Sequence, residues 1–268
     1  MKQLLSIEYS KLKKLNTLRV ILLVYFAIVP LWMYFMGFFF TNAMKGATFV
    51  PSEAELYSFP GVWRFVTYSA SWFNLLVGVA VVVITCNEIH YRTMKQNVID
   101  GLSKQQVILS KFLVILAISV IVTLYTALVG FLIGGFYSGF GRAYENIHYV
   151  PTYFLQTIGY FSFAFFFAVL VKRPAMAIIF FIVSFIVEFI IGFILNITVS
   201  GIPYQFFPLN VFSTLTPIPF LEEAIAAREK ELKTSIWIMP DWMMYTLVAF
   251  YILVFFVIAY RVLKRRDL

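Results

Sequence analysis

The sequence predicts an all-α polytopic membrane protein with six transmembrane helices, both ends inside, an amphipathic interfacial helix at the N-terminus and a helical cytoplasmic projection. Three observations predict it. Of 268 residues, 62% are hydrophobic and only 13% charged, where a soluble domain carries about 25% charged. A soluble core cannot hide that much apolar surface, so lipid must serve as solvent. Six apolar stretches, 18–40, 65–86, 112–137, 153–171, 175–199 and 243–262, each approach or exceed the ~20 residues that carry a helix across a core of about 30 Å. Fifteen of the 21 lysines and arginines flank one side of those spans, and the positive side is the cytoplasmic one. The net charge of +8 therefore reflects basic span flanks rather than a nucleic-acid surface.

The elements follow in order. Residues 1–17 form the interfacial helix. At 100° per residue Leu4, Leu5, Ile7, Tyr9, Leu12 and Leu15 share one face and Lys2, Ser6, Ser10, Lys13 and Lys14 the other, the pattern of a helix lying in the headgroups. Glu8 falls inside the apolar face, where it either pairs locally with Lys11 or Lys14 or finds a partner on the polar segment at 87–111. No cleavable leader is expected before it. Residues 18–268 form one six-span domain. The polar segment, NEIHYRTMKQNVIDGLSKQQVILSK, separates spans two and three. It reads as a helix from 85 to 100 that stops at Gly101, a residue suited to the position after a helix end. A second helix starts at Ser103, with Gln106 completing a capping box. The turn through Asp100, Gly101, Leu102 and Ser103, followed by Lys104, is expected to project into the cytoplasm with Leu102 exposed at its tip. Lys172, Arg173 and Pro174 make a tight hairpin between spans four and five. The outer loop 200–241 begins with a proline- and aromatic-rich half expected to dip into the interface and continues as a charged helix over 221–233.

Glu188 is the only acid deep within a span, and such a charge is costly enough to suggest a role. It shares a stripe of span five with Ser184, Gly192 and Asn196, spaced four apart. That stripe lines a substrate path or makes a polar contact between helices. Asn74 in span two suits an interhelical hydrogen bond. Gly130 and Gly134 in span three form a GxxxG suited to close helix packing. Cys86 has no partner for a disulfide, and His90 and His148 are the only histidines, so no metal site is expected. The chain carries no phosphate-binding loop, nucleophile motif or HExxH, and no repeat relating its halves. Any energy for work must come from elsewhere.

The polar segment and the layout together resemble the permease subunits of the type-two ABC exporter family, which includes lantibiotic-immunity, bacitracin-resistance and sodium-extrusion permeases. The matching positions are Glu88, Thr93, Lys95, the turn Gly101-Leu102-Ser103 and Lys111. The resemblance implies that residues 88–111 hold the coupling helix that docks on an ATPase subunit, and that the N-terminal helix with Glu8, Lys11 and Lys14 is the connecting helix. It also implies two ATPase copies, a second permease copy or paralogue, and ATP with Mg used by the partner and not by this chain. The expected cargo is an amphipathic or hydrophobic peptide, lipid or drug, moved outward across a bacterial plasma membrane. A proton-coupled carrier using Glu188, and a membrane scaffold, are the alternatives.

Overall fold

The computed structural model describes residues 8, 10, 11, 13, 15–43, 52–198, 202–221, 225–226 and 239–265. All the regular structure among them is helical. Glu8, Ser10, Lys11 and Lys13 are helical and precede α1 (Asn16–Phe38), which runs into a π-helical turn, Phe39–Ala43. There follow α2 (Glu53–Tyr57), α3 (Gly61–Ser71), α4 (Asn74–His90), α5 (Thr93–Ile99), α6 (Lys104–Ser138), α7 (Tyr149–Val171), α8 (Pro174–Thr198), a 3₁₀ turn at Pro203–Phe206, α9 (Pro208–Thr214) and α10 (Asp241–Arg265). Among the described residues, five helices are long and apolar enough to cross a membrane. A sixth span results if α3 and α4, bent by 46° about Trp72-Phe73, are taken as one. The expected second span at 65–86 is therefore a broken one.

Local chemistry accounts for the break. Thr67 and Ser71 donate side-chain hydrogen bonds to the carbonyls of Trp63 and Tyr68, and the Phe73 amide reaches Ala70 three residues back. Hydroxyls competing for helix carbonyls bend helices. In α1 the irregularity is Pro30, which lacks the N–H that would bond the carbonyl of Phe26. The Tyr125 hydroxyl of α6 donates to that carbonyl instead. A proline that would leave an orphan acceptor in lipid thereby becomes a tie between spans one and three.

The best-enclosed helix is α7, with α4, α6, α8 and α10 packed around it. Phe161, Phe165 and Tyr153 of α7 are fully buried, with Phe181 of α8 and Phe212 of α9. By contrast α1, α8 and α10 turn most of their surface outward, including Leu23, Leu31, Phe189 and Phe193. A second apolar cluster joins Met33, Leu56, Phe59, Trp63 and Phe65 at the end away from α5. Gly130 and Gly134 lie in its seam. A Cβ at Gly134 would stand 2.6 Å from the Phe59 ring, and one at Gly130 2.8 Å from Val66. The expected hairpin at 172–174 is present, with Lys172 left-handed at φ 63° and Pro174 opening α8, where a missing N–H costs nothing.

The outer segment departs from a surface-lying loop. Leu209, Val211, Phe212 and Leu215 are buried against α7 and α10, so its apolar residues are covered by protein. Of the expected helix at 221–233, Leu221, Ile225 and Ala226 are helical and the rest lies outside the described residues. Gly134→Val is expected to destabilise the fold by about 1–3 kcal/mol, because the Phe59 ring must shift in a packed seam. Thermal unfolding in detergent measures this.

Candidate coupling site

At one end of the bundle α4, α5 and the start of α6 form a protruding helix–turn–helix. The expected single helix from 85 to 100 is interrupted. It ends at His90, Tyr91 turns, and Arg92 adopts a left-handed conformation at φ 55° before α5 begins. The α5 helix closes with two backbone bonds, Leu102 N–H to the Asn97 carbonyl (3.0 Å) and Gly101 N–H to the Val98 carbonyl (3.1 Å). This pairing requires the left-handed residue that Gly101 provides at φ 104°. The same motif folds Leu102 inward, where it packs against the main core instead of standing exposed. The apolar side chains that face outward most here are Tyr91, 70% exposed, and Ile99, 68% exposed, with Leu109 less so. Ser103 and Gln106 form the expected capping box, 3.2 and 2.9 Å. Lys95 and Asp100 are exposed and Lys104 is half-buried. Asp100 accepts from Gln96 at 2.9 Å, and the Thr93 hydroxyl donates to the Glu88 carbonyl at 3.3 Å.

Beneath the projection lies a buried charge cluster. Lys111, 3% exposed, donates to Glu8 at 2.7 Å and pairs with Glu88. The Ser110 hydroxyl also donates to Glu8, at 3.0 Å, and Lys11 approaches it to 3.7 Å. Glu8 thus has both its candidate partners: Lys11 locally, and Lys111 at closer range on the polar segment. Lys14 lies outside the described residues. Two acids and two bases give the cluster no net charge, which is what allows burial. Through one ammonium, the N-terminal helix, α4 and α6 are held at a single point. The sequence offered Lys111 only as a motif position. Its partners stand 103 and 23 positions away, and no local pattern pairs them.

The candidates within the spans resolve differently. Both carboxylate oxygens of Glu188, 7% exposed, accept backbone amides at the start of α9: Asn210 at 2.7 Å and Leu209 at 3.2 Å. The reason is local to α9. Phe207 at its N-cap has no capping side chain and Pro208 has no N–H, so the next two amides need an acceptor from elsewhere. Glu188 is therefore a polar contact between span five and the outer segment. Burial, together with the Glu188 charge, pushes the nearby Tyr204 phenol up. Ser184 and Asn196 bond carbonyls of their own helix, and Gly192 faces Tyr204. Asn74 accepts from Tyr153 at 3.1 Å and reaches Gln156 at 3.4 Å. From there the chain continues through Tyr153 to Tyr25 (2.8 Å) and Thr126 (3.0 Å), and through Gln156 to Thr216 and the Phe212 carbonyl, both 2.8 Å. This network ties spans one to four to the outer segment. Gln156 in an apolar span was the visible signal for it.

The chain is thus a bundle of apolar helices with a basic helix–turn–helix locked to an N-terminal helix. The family model for the ABC-2 family transporter protein matches residues 4–202, and the chain belongs to that family. It is accordingly a multi-pass ABC transporter permease. No curated protein matches the chain.

Lys111→Met is expected to cost about 3–5 kcal/mol, since it leaves two buried carboxylates facing each other. The triple change Glu8→Gln, Glu88→Gln, Lys111→Met should recover most of that loss, as read by denaturation midpoints in detergent. Glu188→Ala should lower stability by about 1–3 kcal/mol through two orphaned amides, and Glu188→Gln by less, because its carbonyl oxygen still accepts.

Proposed function

We propose that this chain is the permease subunit of an ATP-driven exporter and that residues 88–111 face the cytoplasm and dock on an ATPase subunit. The observation that carries the reading is the Lys111 cluster, which makes the projection, the N-terminal helix and span three a single mechanical unit. Tyr91 and Ile99 offer the partner an apolar contact, with Lys95 and Arg92 beside them as basic groups. Movement of α5 on ATP binding would pass through Glu88 and Lys111 to α4, α6 and the N-terminal helix, and from α4 to α8, which packs on it. The outward apolar faces of α1 and α8 suit a second permease copy, with two ATPase subunits serving the pair. The cargo is an amphipathic or hydrophobic peptide, lipid or drug. Glu188 as a proton relay is disfavoured by the two amides already bound to its carboxylate.

Changing Tyr91 and Ile99 together to glutamate is expected to reduce co-purification of the ATPase by about tenfold or more, the loss of a small apolar anchor in an interface. Phe136→Glu, at the other end and 87% exposed, should leave association unchanged. Full association of the Tyr91/Ile99 variant, with undiminished ATP turnover, would show that the projection is not the docking element.

A further inference from the structure

Helices α7 and α10 run side by side in the same direction. Near their starts the Thr152 hydroxyl lies 3.3 Å from that of Tyr245. Farther along, the Phe163 ring meets Phe255 at 5.0 Å between centroids. The first contact sets an offset of 93 positions, and the second is one position less. Carried to the far ends, that register puts Lys172 beside Lys264 and Arg265. This is the end nearest α5, since the Cys86 thiol at the end of α4 donates to the Ala168 carbonyl. Phe163 also meets Phe181 of α8 at 6.0 Å, so α7 is the floor between α8 and α10. That floor surfaces toward the same end, where Phe166 and Phe167 are half-buried and Leu170 is exposed.

Basic side chains gather at the mouth. Lys172 and Arg173 of the hairpin and Arg261, Lys264 and Arg265 of α10 are all exposed, and Lys264 stands over the Tyr260 ring at 5.8 Å. Among the described residues no carboxylate pairs with any of them. The acids described at this end are engaged elsewhere, Glu8 and Glu88 by Lys111 and Asp100 by Gln96. Arg266 and Asp267 lie outside the described residues, and neither is needed for the site. On α10 the cations complete a stripe. Phe250, Leu253 and Ile258 are exposed, and at helical spacing Arg261, Lys264 and Arg265 continue that face. An apolar face ending in cations matches a lipid, with chains first and phosphate last.

We propose that this mouth binds the phosphate of an anionic phospholipid, whose chains lie along α10 and over Phe166, Phe167 and Leu170. Basic pockets between spans take such headgroups, and arginine matches phosphate oxygens in a two-pronged geometry. A zwitterionic lipid brings its own cation to the mouth and gains less. An acidic protein surface would use the same charges, but it would leave the apolar stripe above them without a role. The site needs only that α7, α8 and α10 cross a bilayer, and no ATPase.

The test is native mass spectrometry of the full chain in non-ionic detergent, titrated with dioleoyl phosphatidylglycerol or dioleoyl phosphatidylcholine. The wild type should prefer the glycerol lipid by about tenfold or more, as expected for several cations near one phosphate. The double change Arg173→Gln, Arg261→Gln should reduce that preference to within about twofold. A charge-matched double change at exposed Lys13 and Lys95, both to glutamine, should preserve it. Both variants should keep the wild-type melting temperature, and the Arg173/Arg261 variant should still co-purify with an ATPase. Equal affinity for the two lipids in the wild type overturns the proposal. So does a preference that survives the Arg173/Arg261 change, or one lost equally in the charge-matched variant. Loss of the ATPase from the Arg173/Arg261 variant with its lipid preference intact would assign the mouth to a protein partner instead. If glycerophosphoglycerol, which has no chains, competes as well as the whole lipid, the ligand is a free phosphate ester and the lipid assignment fails.

Discussion

In lipid no backbone amide or carbonyl can be left to solvent, and the irregular places in this fold each show how that debt is met. Pro30 removes a donor from α1, and the Tyr125 hydroxyl of another span supplies one. The start of α9 has no capping residue, and Glu188 supplies an acceptor from α8. Each repair comes from a different helix, so each also fixes how two helices sit against one another. The architecture is held together where its helices are least regular, and apolar packing around α7 fills the space between those ties.

The charge cluster at Lys111 follows the same logic with ions in place of backbone groups. A buried ion pair adds little net stability over an apolar substitute, because desolvation offsets attraction. What it contributes is specificity of arrangement. An ammonium shared by two carboxylates fixes the N-terminal helix, α4 and α6 in a single geometry, and loss of any one member leaves the others uncompensated. For the docking segment proposed above, one defined arrangement would matter more than a deep energy minimum.

Much of this was legible in the sequence. The apolar runs, the capping box at Ser103, the stop at Gly101 and the hairpin at 172–174 rest on local rules, and the structure follows them. The structure departs from the sequence readings where a tertiary contact, a left-handed turn or a competing hydroxyl intervened. The helix expected over 85–100 breaks at Arg92, because a non-glycine left-handed residue has no strong sequence signature. Leu102 was expected at an exposed tip, but the bond pattern that uses Gly101 also folds the following residue inward. Span two is bent because hydroxyls at 67 and 71 take carbonyls that a regular helix would use. At the site, Glu8 was visible as an acid inside an apolar face and Glu88 as a motif position. Their common partner was not, since pairing across 103 positions is decided by the fold. The resemblance to ABC permeases lay in the layout and in the loose pattern from Glu88 to Lys111, and the family match agrees with it.

The length of α6 has a further consequence. At about 1.5 Å per residue its 35 residues form a rod of about 52 Å, far longer than the hydrocarbon core it crosses. A rod seated in a bilayer and extending beyond one surface is a lever with unequal arms. A tilt of about 5° displaces its far end by about 5 Å relative to the other, for a helix of that rise. Near the end of the long arm sits Lys111, and near the other end Gly130 and Gly134 lie against rings too near to slide past. The fulcrum is then the glycine seam, and leverage rather than distortion of any single helix would carry a push across the membrane.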